Sequence, residues 1–133
     1  MRAVVDTGVF SASLSTRRRA QFDRHLNLMI GRSIYLATQT LMELRFGALF
    51  AQWGEARIAR LDSAIAITTV VPVSPGLIDT TARLRLACRK VGHPLHDAAH
   101  GNDLWIAASA VHIGAALIST DEVFFETPGL QLL

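Results

Sequence analysis

The sequence contains very little cysteine and no long apolar run. Cys88 is the only cysteine, so no disulfide can form within the chain, and such sparse use of cysteine fits a reducing compartment. No stretch approaches the roughly 20 apolar residues that a membrane-spanning helix needs. The N-terminus also lacks the apolar centre of a signal peptide, because Asp6 follows a few strand-like residues. We therefore expect a cytoplasmic protein that does not associate with membranes.

Lysine is as scarce as cysteine. Lys90 is the only lysine among 13 basic residues, so the other twelve are arginines. Arginine can bind phosphate or carboxylate through two parallel hydrogen bonds, so phosphate-bearing partners are one explanation of this bias and genome composition is the other. Half of the residues are apolar, which is enough for one domain over residues 1–133. The apolar excess also suggests that a second copy or another protein covers part of the surface.

Four acidic residues lie within or directly after apolar runs: Asp6, Glu43, Asp103 and Asp121. Burial of an unpaired charge costs several kcal/mol, which is comparable to the whole stability of a small domain. If the fold brings the four together, each close pair repels by roughly 4 kcal/mol at an effective dielectric constant near 20. A shared divalent cation would relieve this repulsion, so the sequence predicts a metal-dependent enzyme.

Strand-like and helix-like segments alternate along the chain. The patterns predict strands at residues 2–6, 34–36, 115–119 and 130–133, a strand-like run at 68–71, and helices at residues 20–30, 38–53, 55–67, 76–90 and 102–113. Gly92 and Gly114 are expected to end helices, Asn102 to cap one, and residues 93–101 to form a loop. This alternation predicts an α/β fold of three layers, with a short parallel sheet of about five strands between helices.

Ligands of such sheets bind beyond the carboxyl ends of the strands. Asp6 and Asp121 each follow a predicted strand, while Asp103 and Glu43 lie in the first turns of predicted helices. We therefore expect all four carboxylates to face one rim of the sheet.

Four motifs occur in order along the chain. They are Val5-Asp6-Thr7, Glu43-Leu44-x-x-Gly47, Asn102-Asp103-Leu104-Trp105-Ile106-Ala107-Ala108 and Ser119-Thr120-Asp121-x-x-Phe124. Together they resemble the PIN domain, in particular the VapC toxins of bacterial toxin–antitoxin pairs, over the whole length of the chain.

The resemblance implies a Mg²⁺- or Mn²⁺-dependent ribonuclease with Asp6, Glu43, Asp103 and Asp121 as its acidic residues. It places Thr7 and Ser119 at the family's hydroxyl positions near the metal. It also implies a homodimeric toxin that cleaves tRNA or rRNA with a metal-activated water and is held inactive by a VapB-like antitoxin. Hard oxygen ligands suit Mg²⁺ independently of the resemblance. A PIN-like module that binds RNA or protein without cleaving is the alternative.

Each motif taken alone has a simpler structural explanation. Glu43 could close a capping box with Thr40, Asp103 could be a favourable charge in a first helical turn, and Asp121 could be a turn residue. The histidines of the predicted loop, His93, His96 and His100, could suggest zinc, but Pro94 interrupts the spacing and the resembled family uses no zinc. A solvated loop histidine is favoured over a substrate contact for His100.

Arg17, Arg18 and Arg19 form a cationic run that is expected to begin a helix, with Arg24 close behind. Positive charge opposes the dipole at a helix N-terminus, so helix stability does not explain the run. A phosphate backbone or an acidic segment of the antitoxin would explain it, while a solvated surface is the simpler interpretation. Trp53 and Trp105 are expected to pack in the core or an interface, and Cys88 to be a buried helical residue.

Overall fold

The computed structural model describes all 133 residues and has a parallel sheet at its centre. Its four strands are β1 (Arg2–Val5), β2 (Ser33–Ala37), β3 (Thr69–Val71) and β4 (Ala116–Ile118). The strand order is β3-β2-β1-β4, and all three pairings are parallel. The predicted last strand is reduced to one bridge between Leu117 and Leu132. The sheet thus has four strands, one fewer than expected.

Helices and short 3₁₀ turns connect the strands. The helices are α1 (Thr7–Ser13), α2 (Asp23–Met29), α3 (Thr38–Phe50), α4 (Glu55–Ala66), α5 (Pro75–Val91) and α6 (Gly101–Ile113). The 3₁₀ turns are Arg19–Phe22, Pro94–His96, Ala98–His100 and Glu122–Phe124. No helix combines the length and the apolar character needed to cross a bilayer.

The two faces of the sheet carry separate hydrophobic cores. Successive residues of a strand point to opposite faces, so Val4 packs with α5 and α6 whereas its neighbours Ala3 and Val5 pack with α1, α3 and α4. Cys88 lies fully buried in the first core, where desolvation raises the pKa of its thiol. The predicted three-layer α/β fold is confirmed, and Cys88 is a core residue.

The predicted helix ends agree with the structure at some positions and differ from it at others. Gly92 and Gly114 end α5 and α6 in the left-handed conformation, as expected, with φ values of 72° and 66°. Asn102 is not a cap, because α6 begins one residue before it. The predicted loop of residues 93–101 contains two 3₁₀ turns, and α1 was not predicted at all. The first helical turn of α1 matters most, because Asp6 caps it.

Candidate active site

Asp6 links the central strand to α1. Its backbone N–H donates to the carbonyl of Ile118 on β4 at 3.1 Å, which fixes the residue at the carboxyl end of the sheet. Its Oδ1 accepts a hydrogen bond from the N–H of Val9 at 2.9 Å, so the side chain is the N-cap of α1. Its Oδ2 accepts from the hydroxyl of Ser119. Asp6 is only 7% exposed, and both of its oxygens are therefore held in place.

The turn after β4 brings a second carboxylate to the same rim. The hydroxyl oxygen of Ser119 accepts a hydrogen bond from the N–H of Asp121 at 3.0 Å while its proton goes to Asp6. Asp121 in turn accepts from the N–H of Val123 at 3.0 Å, so it begins the following 3₁₀ turn. Ser119 is buried and Asp121 is exposed. The buried serine thus connects the carboxylate of Asp6 to the backbone of Asp121.

Asp103 lies in the first turn of α6 and is about one-third exposed, at 33% of its side chain. Its carboxylate is 3.6 Å from Nδ1 of His100, one helical turn earlier. Charge on Asp121 raises the pKa of Asp103, after the larger effect of desolvation, while the histidine lowers it. Asp103 therefore belongs to the same electrostatic cluster as Asp121.

The pKa of the buried Asp6 is also affected by Asp103 and Asp121. Desolvation is the largest cause that raises this pKa, and the charges of Asp121 and Asp103 raise it further. The hydrogen bonds from Ser119 and Val9 lower it and only partly compensate. The charges of Asp121 and Asp103 thus destabilise the charged form of Asp6, and a nearby cation would reverse this effect.

Glu43 reaches the rim from α3 and is positioned by a threonine. The hydroxyl of Thr7 donates to Oε1 of Glu43 at 2.8 Å and lies 3.2 Å from the hydroxyl of Thr40. Glu43 is half-buried, and it contacts the residue next to Asp6. Thr40 is inside α3, whose N-cap is Ala37, so the Thr40–Glu43 capping box is not formed.

Thr40 is a site residue that the sequence analysis missed. It is fully buried and lies one helical turn before Glu43 on the same face of α3. The spacing that resembled a capping box was the available signal. Its hydroxyl belongs instead to the Thr7–Glu43 hydrogen-bond group.

The chemistry of these residues fits a hard divalent ion. The atoms of Asp6, Glu43, Asp103, Asp121, Thr7 and Ser119 that could bind a metal ion are carboxylate and hydroxyl oxygens, which Mg²⁺ and Mn²⁺ prefer as ligands. No three acidic, histidine or cysteine side chains meet closely enough to form a ready-made metal cage. The charge of Asp121 contributes to the raised pKa values of both Asp6 and Asp103, and a cation bound between the carboxylates would oppose this repulsion.

The loop histidines do not form a metal site. Nδ1 of the buried His93 accepts from the N–H of Leu95 at 3.1 Å, so the ring proton is on Nε2, which donates to the carbonyl of Phe125 at 2.9 Å. Both nitrogens are therefore occupied: Nδ1 caps the following 3₁₀ turn, and Nε2 ties this loop to the C-terminal segment. His100 is the histidine beside the carboxylates, through Asp103.

The cationic run lies in the segment between α1 and α2. Arg17 and Arg18 are in the turn before the 3₁₀ segment that Arg19 begins, so the run does not begin an α-helix as expected. The guanidinium of Arg19 donates to the carbonyl of Ser13 at 2.9 Å, and Arg24 is exposed on α2. Arg17 and Arg18 line one wall of a cleft beside α4.

The carboxylates stand on an open rim. None of the five main cavities is lined by Asp6, Glu43, Asp103 or Asp121. A cavity of about 590 Å³ between α5 and α6 is lined by Leu104 and Trp105 but not by Asp103. Small-molecule sites are usually concave pockets, and the four carboxylates line none of these main cavities.

The molecule is therefore an α/β protein with an acidic, oxygen-rich site at the carboxyl ends of a parallel sheet. The family model of the PIN domain matches residues 3–130. Ribonuclease VapC5 of Mycobacterium tuberculosis (strain ATCC 25618 / H37Rv) is 34% identical over 128 residues, which cover 95% of this chain and 87% of the relative. Ribonuclease VapC4 of the same strain is 31% identical over 136 residues, covering 99% and 95%. The chain belongs to the PIN-domain family, among its VapC-type members.

A solved structure agrees with this fold. VapBC2 from Rickettsia felis, bound to a DNA fragment from its promoter, superimposes with a TM-score of 0.80 at 20% identity, covering all of this chain and 98% of the compared chain. At this level of identity the likeness concerns the fold alone.

Proposed function

We propose that this protein is a Mg²⁺-dependent endoribonuclease and the toxin of a type II toxin–antitoxin pair, with residues 1–133 as a single PIN domain. The observation that carries the proposal is the cluster of Asp6, Asp103 and Asp121, in which burial and mutual repulsion raise the pKa values of Asp6 and Asp103. Perturbed carboxylates in one site are typical of catalytic centres. The names of the two relatives, both ribonucleases, support the same activity.

Asp6, Asp103, Asp121 and Glu43 are the residues that would hold the ion. Mg²⁺, or Mn²⁺ in its place, would supply an activated water at neutral pH and neutralise charge that develops on the phosphate. The hydroxyl of Ser119 holds the carboxylate of Asp6 next to the backbone of Asp121, and the hydroxyl of Thr7 orients the carboxylate of Glu43. Because Asp6 is buried and hydrogen-bonded, its side chain has little freedom to move. The protein would thus position the carboxylate oxygens for the ion before it binds.

The open rim supports a polymeric substrate. We propose structured cellular RNA, such as tRNA or rRNA, because a folded RNA presents its backbone on a convex surface that an open rim can meet. Arg17, Arg18, Arg19 and Arg24 are proposed to contact this RNA or the antitoxin.

A VapB-like antitoxin and a second copy of the chain are the proposed protein partners. The fold-level neighbours include complexes named VapBC, which supports the first. The second is supported by an apolar stripe on α3, defined by Met42, Phe46, Leu49 and Phe50. These side chains are 50%, 62%, 76% and 80% exposed. So continuous an apolar surface is typical of protein interfaces.

The test is cleavage of cellular RNA by the purified protein, with and without Mg²⁺, followed by mapping of the new 5′ ends. Asp6→Asn and Asp103→Asn should abolish cleavage and leave the circular dichroism spectrum unchanged. Asp23→Asn is the matched control, because it removes the same charge from an exposed position on α2. Equal cleavage by all three variants would show that these aspartates are not catalytic, whereas absence of cleavage by the wild type would favour the non-cleaving PIN-like module.

A further inference from the structure

A cationic cleft lies on the α1 and α4 side of the molecule. It has a volume of about 500 Å³ and is lined by Arg17 and Arg18 on one wall and by Arg57 and Arg60 on the other. Ser11 and Trp53 also line the cleft. No carboxylate lines it. The two pairs of arginines are about forty residues apart in the chain, so no local sequence pattern joins the arginines of α4 to the earlier run.

None of the four arginines of this cleft takes part in an ion pair. Elsewhere the fold does pair exposed arginines with carboxylates, as in Arg45 with Asp62 and Arg83 with Asp79. Four unpaired like charges around one cleft repel one another and oppose folding. The arrangement is therefore better explained by an anionic ligand than by stability.

Two of the guanidinium groups are already held in position. Arg18 donates to the hydroxyl of Ser11 at 2.8 Å, and the guanidinium of Arg57 lies over the ring of Trp53, 4.1 Å from its centroid. Stacking on an aromatic ring leaves the N–H edge of a guanidinium free to donate. Side chains that are ordered before binding lose less entropy when the ligand arrives.

The cleft and the acidic rim are connected by α1. Asp6 caps the first turn of this helix, and Ser11 lies towards its other end. Seven helical residues span about 10 Å. A chain of phosphates lying along α1 would thus reach from the arginines to the carboxylates.

We infer that this cleft binds the phosphates of the RNA strand next to the bond that is cut. The inference rests on the proposed function. An acidic rim repels a polyanion, so a nearby cationic anchor is needed to hold the substrate there. The apolar lining is limited to Trp53 and Leu14, whereas a protein partner would need a larger apolar anchor, so RNA is favoured over an acidic peptide.

The test is the binding of a short fluorescein-labelled single-stranded RNA of random sequence, measured by fluorescence anisotropy in EDTA at several KCl concentrations. The double variant Arg57→Gln/Arg60→Gln should bind several-fold more weakly. Its log-log salt slope should fall by about 1.4, because each phosphate of a single strand that is no longer neutralised lowers the slope by about 0.7. Arg83→Gln/Lys90→Gln on α5 removes the same charge from the other layer and should leave the slope unchanged.

Because Arg57→Gln also removes the stacking on Trp53, the pair Arg17→Gln/Arg60→Gln provides a second variant that spares this interaction. Equal slopes for the wild type and both cleft variants would overturn the inference. So would unchanged RNA affinity combined with loss of binding to a polyglutamate peptide, which would assign the cleft to an acidic protein segment. Cleavage that is insensitive to Asp6→Asn would contradict the proposed function alone, since this binding assay needs no catalysis.

Discussion

The hydroxyl of Ser119 donates a hydrogen bond to Asp6 across 113 positions of the sequence. This bond lowers the pKa of Asp6, against the desolvation that raises it. We expect Ser119→Ala to raise the pKa of Asp6 further and to weaken Mg²⁺ binding, because the charged form of the carboxylate, which binds the ion, loses a hydrogen bond that stabilises it. Loss of a buried hydrogen bond should also cost about 1–3 kcal/mol of stability.

Isothermal titration with Mg²⁺ and urea unfolding check these two effects. Ser119→Thr is the control, because it keeps the hydroxyl. A Ser119→Ala protein with wild-type Mg²⁺ affinity would show that the serine only supports the fold.

The raised pKa values of Asp6 and Asp103 predict how the stability of the metal-free protein depends on pH. Both pKa values lie above the ordinary 3.8, so the folded state binds more protons than the unfolded state between that value and the raised ones. Stability is therefore greatest at the acidic end of this window and falls as the pH rises through it. Each unit of raised pKa corresponds to about 1.4 kcal/mol.

Asp6→Asn should flatten this pH dependence and raise the free energy of unfolding in EDTA at neutral pH. Urea unfolding across the acidic range, with Asp23→Asn as the control, measures both effects. The prediction fails if the wild type and Asp6→Asn lose stability in parallel as the pH rises.

Divalent metal should stabilise the wild-type fold because it neutralises the repulsion among the aspartates. At an ion concentration of about 100 times its dissociation constant, linkage adds about 2.7 kcal/mol. Differential scanning fluorimetry should show a higher Tm with Mg²⁺ or Mn²⁺ than with EDTA, and a smaller increase for Asp103→Asn. A Tm that does not respond to either ion would argue against a metal site at this rim.

The apolar stripe on α3 predicts a homodimer. Phe46 and Phe50 stack with their ring centroids 5.9 Å apart and are mostly exposed. Burial of such a side chain contributes about 1.5–3 kcal/mol. Light scattering should give a dimer mass for the wild type and a monomer mass for Phe46→Ser/Phe50→Ser. The matched control is Ile78→Ser/Leu86→Ser on α5, which should remain a dimer. If this control is a monomer while the α3 variant stays a dimer, the interface lies on α5 and not on α3.

The fold could be predicted from the sequence wherever local chemistry decides the structure. Pro75, Gly92 and Gly114 mark helix ends through their backbone preferences alone, and the bounds of α5 followed almost unchanged. The helix α1 was missed because Asp6 was interpreted only as a metal ligand, although its carboxylate also caps that helix. Asp6 thus has both a structural role, as the cap of α1, and a proposed catalytic role. The sequence pattern alone does not distinguish these two roles.

The parts that were missed depend on contacts between distant segments. Thr40 joins the site through Thr7, 33 positions away, and Arg57 joins Arg17 only because α4 packs beside the turn after α1. The predicted final strand is a single bridge, since only Leu132 pairs with β4. Such contacts follow from the packing of whole elements, which local patterns do not specify. The assignment of the four carboxylates to catalysis remains a prediction for the variants above.

The order of the strands has a consequence for the synthesis of the protein. β1 is made first, yet β4, one of its two neighbours in the sheet, is made last. A ribosome must therefore have added residue 119 before Asp6 can receive its second hydrogen bond and Asp121 can join the rim. Unfinished chains contain Asp6, Glu43 and even Asp103 without an assembled site. On the proposed assignment of these carboxylates to catalysis, an unfinished chain is expected to be inactive, and activity is expected only on completion of the fold.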